Sequence, residues 1–121
     1  MIVCARGQST ALTDLGPFAD AGLLILASLA AGPKHGYAML EDIEEMAGVR
    51  MGPGTLYTTL ARLQQRGWIE ALPAEDTRRP YRLTGAGTAV LRAQLGKLER
   101  FTASGLQRLG QAGAAEGGIV S

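Results

Sequence analysis

The stretch Leu23 to Leu29, LLILASL, is apolar around nearly the whole of a helical cylinder, and it limits what this 121-residue chain can fold into more than any other segment. A surface helix needs one apolar stripe, whereas a helix this apolar needs neighbours on several sides. Phe18, Ala21 or Gly22, Ile25 and Leu29 recur at three- and four-residue steps, and Leu23, Leu24 and Leu26 widen the same surface. Gly32 and Pro33 close the helix, glycine as the residue that tolerates a left-handed turn and proline as the stop. The apolar run from Leu23 to Ala31 is far shorter than the ~20 residues that cross a bilayer. It therefore reads as a core helix around which the rest of the chain must pack.

Two further helices follow at close spacing. In GYAMLEDIEEMAG, Met39, Leu40, Ile43 and Met46 or Ala47 form an inner stripe, Glu41, Asp42, Glu44 and Glu45 form the wet face, and Gly48 ends the helix. Val49 and Met51 then read as buried connectors. The third helix follows Gly52, with Pro53 at the first helical position, where a missing N–H costs nothing. Leu56, Leu60 and Leu63 face the core at i, i+4 and i+7. Thr58, Ala61, Arg62 and Gln65 point the opposite way, with Thr55 and Tyr57 on the flanks. That outer face is polar and carries no acid.

Gly67 stops the third helix, WIEAL reads as a short strand, and YRL can return as its partner after the turn-rich PAEDTRRP. A two-stranded ribbon of this size must lean on the helices. Thr84 is a good N-cap for a fourth helix, along which Leu91, Leu95, Leu98, Thr102, Gly105 and Leu109 alternate at four- and three-residue steps, with Phe101 and Leu106 widening the seam. An apolar strip of that length has to be covered. Residues 1–17 read as a flexible N-terminal arm and residues 111–121 as a frayed tail.

Composition excludes more than it assigns. Net charge is +1, yet six arginines face three acids between Arg50 and Arg82, while four acids crowd Glu41 to Glu45. Such asymmetry can orient a nearly neutral protein on a polyanion. The single cysteine, Cys4, can form neither an intrachain disulfide nor a zinc site, and the first residues lack the order of a signal peptide, so the expected location is cytoplasmic. Gly52-Pro53-Gly54-Thr55 lacks the Lys-Ser/Thr of a nucleotide-binding loop and the preceding strand of a dinucleotide site. Cys4 and His35 have no orienting partners evident in sequence, so neither an enzyme, a cofactor nor a metal is expected.

The order of elements, three helices, a β-ribbon with arginines at its tip and a fourth striped helix, defines the expected fold class. It is mainly α with a small β-ribbon, a winged helix-turn-helix over residues 18–83 plus a C-terminal dimerisation helix over residues 84–110. The blocks LLILASLAAGPKHGYAML, GPGTLYTTLARLQQRGWIE and RRPYRLTGAG, in that order and spacing, resemble the PadR family of bacterial transcriptional regulators from about Phe18 to about Leu98. The resemblance implies a homodimeric repressor joined through its first and last helices, reading a two-fold symmetric double-stranded DNA operator and often released by a small-molecule effector. Thr58 stands where many members carry proline.

On this reading Gly54 and Thr55 offer backbone N–H groups to a phosphate, Tyr57 offers its hydroxyl, and Thr58, Arg62 and Gln65 reach base edges or phosphates. Lys34 is a phosphate candidate at the mouth of the second helix, and Arg78 and Arg79 are the wing's contacts, which Arg82 could extend. Leu23, Leu26, Leu91, Leu95, Leu98 and Phe101 are the expected dimer interface. The rival function is a winged-helix adaptor that binds another protein without specific DNA affinity, a reading that acids on the third helix would have favoured.

Overall fold

Asp20 opens the first described element: its Oδ1 accepts the backbone N–H of Gly22 at 2.9 Å, the N-cap of helix α1 (Ala21–Ala30). The computed structural model describes residues 20–117, with side chains to residue 112. The arm at 1–17, Phe18 and Cys4 lie outside the described residues, as do residues 118–121. Helix α1 buries Leu24, Ile25, Leu26, Ser28 and Leu29, which answers its all-round apolar sequence. After it come strand β1 (Lys34–His35), helices α2 (Gly36–Ala47) and α3 (Pro53–Gln65), strands β2 (Ile69–Ala71) and β3 (Pro80–Leu83), and helix α4 (Gly85–Gly117).

Local chemistry sets the boundaries. Gly48 takes a left-handed φ of 70° and donates to the Glu44 carbonyl, ending α2 in an arrangement that a β-carbon would strain. Pro53 leads α3, as expected from its fixed φ. Thr84 caps α4 through Oγ1, which accepts the Gly87 N–H at 3.0 Å and donates to the Gly67 carbonyl at 2.7 Å. A side chain on Gly87 would strike the Trp68 carbonyl, so a glycine that weakens the helix start is the residue that lets α4 approach the end of the α3 turn.

Two compact units divide the chain, the first ending at Leu91 and the second beginning at Arg92. In the first, Ile25, Met39, Ile43, Leu56, Leu60 and Ile69 are fully buried, and Leu91 from the opening turns of α4 joins the same core. This unit thus takes in more of the last helix than a boundary at residue 83 allows. Helix α4 also continues through Gly117, beyond the expected end at residue 110.

Three details go beyond what the sequence implies. The sheet has three antiparallel strands in the order β1-β3-β2, since Lys34 and His35 pair with Tyr81 and Pro80 on the far side of the ribbon. A two-residue strand has no periodicity to read and exists only through its partner. At the end of α2 it is Ala47 that packs on the core while Met46 is exposed. Thr59, between the leucines of α3, is buried with them.

Candidate nucleic-acid interface

Helix α3 presents one face to the core and the other to solvent. Burial of Leu56, Thr59, Leu60 and Leu63 turns Thr55, Tyr57, Thr58, Ala61, Arg62 and Gln65 outward, and all six are exposed. The helix start is open as well. Gly52 occupies the N-cap without a side-chain hydrogen bond, and a β-carbon built on Gly52 or Gly54 would meet nothing within 4 Å. The backbone N–H groups of Gly54 and Thr55 therefore sit at the positive end of a helix dipole with room for a second molecule's backbone.

Tyr57 connects this helix to α2. Its hydroxyl lies over Gly36, at the first position of α2, so closely that any side chain there would displace it, while more than half of the tyrosine's surface remains exposed. Tyr37, the next residue of α2, is also exposed. The starts of α2 and α3 thus share one aromatic-rimmed surface, on which neither helix has a side-chain cap.

The wing lies beyond β1. Its tip is closed by reciprocal backbone bonds between Glu75 and Arg78, at 2.6 and 2.9 Å, around Asp76 in a left-handed conformation (φ 58°). Arg78 Nη1 stands 3.5 Å from His35 Nε2. Arg79 turns back and donates to the Leu72 carbonyl at 2.9 Å, bracing the wing loop. Arg82 pairs with its cross-strand neighbour Glu70 and is thereby neutralised rather than extending the wing's charge.

The structure turns Lys34 inward. Its Nζ donates to the Ser28 carbonyl at 2.6 Å and lies 3.9 Å from the Asp42 carboxylate, which itself accepts the Ser28 hydroxyl at 2.6 Å. The sequence shows a lysine beside a helix start; it does not show that Ser28 and Asp42 converge on that lysine.

Residues 25–93, more than half of the chain, match the Transcriptional regulator PadR-like family. This chain belongs to the PadR family. The family is one of transcriptional regulators. A PadR-family regulator from Eggerthella lenta is similar over 84% of this chain and 89% of its own, at 25% identity and a TM-score of 0.67. One from Clostridium difficile shares the fold at 21% identity and a TM-score of 0.66, over 74% of this chain and 97% of its own. An uncharacterized 37.1 kDa transposon protein of Streptomyces fradiae is 41% identical over 83 residues, 69% of this chain. The chain spans about a quarter, 24%, of that relative's length.

In this PadR-family chain the residues expected at a dimer interface divide into two groups. Leu26 and Leu91 are 3% and 5% exposed and belong to the protomer's own core, so they offer little area to a partner; Leu23 is half-buried against the same core. In the second unit Leu95 and Phe101 are exposed and Leu98 is half-buried, and Leu106 and Leu109 are exposed as well. Hydrophobic spacing alone does not separate a residue that fills its own core from one that waits for another chain. Among the described residues no group of His, Cys, Asp and Glu could hold a metal ion, and no helix is long and apolar enough to cross a membrane.

Proposed function

We propose that this PadR-family regulator acts in the cytoplasm as a homodimeric, sequence-specific repressor that binds a two-fold symmetric double-stranded operator. The observation that carries the reading is the outward face of α3, where Thr55, Tyr57, Thr58, Arg62 and Gln65 are exposed together on a helix without an acid. Arginine and glutamine can make paired hydrogen bonds to base edges in the major groove, and threonine can bond to either base edges or phosphates. Gly54 and Thr55 N–H groups and the Tyr57 hydroxyl supply phosphate contacts that fix register, and Arg78 of the wing adds a backbone contact beside them. Lys34 is left out of this contact set because its amine is engaged within the fold.

Two protomers joined through the strip containing Leu95, Leu98 and Phe101 would place their α3 helices in successive major grooves about 34 Å apart. Occupying a promoter in this way represses it. A small molecule that changes the spacing of the two helices weakens binding through the same joint. The test is selection of bound fragments from the source genome, followed by titration of the best one at two salt concentrations with Arg62→Ala as comparison. Salt-weakened binding to a symmetric site, lost or broadened in the variant, is the expected result. Equal weak binding to every fragment, or none, would overturn the reading and turn attention to protein partners.

A further inference from the structure

Lys34 has the chemistry of a phosphate ligand and the placement of an anchor. Its stem starts from β1, which pairs with β3, and its amine is seated on the carbonyl of Ser28 in α1. Asp42 of α2 completes the set by accepting the Ser28 hydroxyl while facing the amine. Three elements, α1, α2 and the sheet, therefore meet on one ammonium group. Because Lys34 lies opposite Tyr81 and His35 opposite Pro80, fixing β1 fixes the base of β3. From that base the chain leads back to Arg78, whose guanidinium comes to rest beside His35. The other strand of the wing, β2, is tied to the end of α3 through a turn at Gly67, so β1 is the second support that decides how the ribbon sits.

We propose that Lys34 is a positioning residue for DNA binding: without touching DNA, its amine holds β1 to α1 and α2 and so sets where the wing and Arg78 lie relative to the reading helix. The proposal rests on the DNA-binding reading above, and its test separates the two. The observations favour it over direct contact because the donors of Lys34 point to Ser28, and a freed amine would leave that carbonyl and the Asp42 carboxylate without their cation.

The experiment compares Lys34→Met, which keeps the aliphatic stem, with Arg78→Ala and the double variant, in the full chain and on the best-binding genomic fragment. Arg78→Ala alone and Lys34→Met alone are each expected to weaken binding by roughly tenfold, the scale of one lost charged contact. In the Arg78→Ala background, Lys34→Met should leave the slope of log affinity on log salt unchanged. A direct phosphate ligand would instead lower that slope by about one whatever stands at position 78, and this result would overturn the proposal.

Amide exchange on the DNA-free protein decides the anchor independently: Lys34→Met should speed exchange across the β1–β3 pairing and leave α3 protected. Unchanged exchange there refutes the anchor even if DNA binding falls. Failure of the unaltered protein to bind any fragment refutes the DNA reading instead, with the exchange result still standing. If Lys34→Met does not fold, Asp42→Asn serves: weaker binding supports positioning, whereas equal or tighter binding, from a lysine set free, overturns it.

Discussion

Replacing Gly54 by alanine separates the stability of α3 from its contact with DNA. Gly54 lies in the first turn of the helix, has none of the positive φ seen at Gly32, Gly48 and Gly67, and has no atom within 4 Å of where a β-carbon would stand. No internal contact therefore requires glycine. Alanine at such a position restricts the unfolded chain and stabilises the protein by about 0.4–1 kcal/mol. For a domain of this size that corresponds to a melting temperature raised by about 2–5 °C. If a DNA phosphate approaches the Gly54 and Thr55 N–H groups, the same methyl stands in its path. A charge-assisted bond of this kind contributes about 1.5–3 kcal/mol, so affinity should fall roughly 10- to 150-fold for each such bond that the methyl prevents. Thermal melting followed by circular dichroism and titration of the best operator fragment measure the two effects on one sample. A higher melting temperature with unchanged affinity would show that no phosphate docks at this helix start. A lower melting temperature would show that the glycine has an internal role.

Three further substitutions probe the supports of the site. Thr84→Ala removes both the cap on Gly87 and the bond to the Gly67 carbonyl, and should lower stability by about 0.5–2 kcal/mol in urea titration with little change in the slope of that titration. Gly36→Ala forces the Tyr57 hydroxyl off the start of α2 and should destabilise by about 1–3 kcal/mol; adding Tyr57→Phe, which removes the obstructing oxygen, should recover part of that stability. Leu95→Asp places a carboxylate on the exposed strip of α4 and should shift sedimentation from dimer to monomer and lower operator affinity together, whereas a stable dimer with unchanged affinity would remove the proposed joint.

The helices were legible because each rests on local signals: the apolar cylinder of α1, the leucines of α3, and Gly48, Pro53 and Gly67 at the boundaries. The outward face of α3 followed from the same periodicity, since whatever lies opposite Leu56, Leu60 and Leu63 must face out. Thr59 belonged to that stripe by spacing, and its polarity hid it. What sequence did not show are relations between distant residues. Strand β1 exists by pairing with β3, 43 positions separate His35 from Arg78, and the direction of Lys34 is decided by Ser28 and Asp42. Leu26 and Leu91 fit an interface and a core equally well by pattern, and packing assigned them to the core.

The distribution of charge explains how a chain with a net charge of +1 can still bind a polyanion. Asp42 faces Lys34, Glu44 pairs with Arg50, and Glu70 pairs with Arg82. The pairs at Glu44 and Glu70 are exposed, and exposed ion pairs add little stability, so their consequence lies in the field they leave behind. Acids and bases cancel locally over the ribbon, and α2 keeps an acidic surface at Glu41 and Glu45, while α3 has no acid along its length and exposes Arg62, with Arg66 over the Trp68 ring at its end. The wing tip holds Glu75 and Asp76 beside Arg78 and Arg79, and Arg79 is occupied with the Leu72 carbonyl. A tip so nearly neutral contributes little long-range attraction. On the proposed reading its role is orientation, which depends on where β1 holds it, and affinity and discrimination fall to α3.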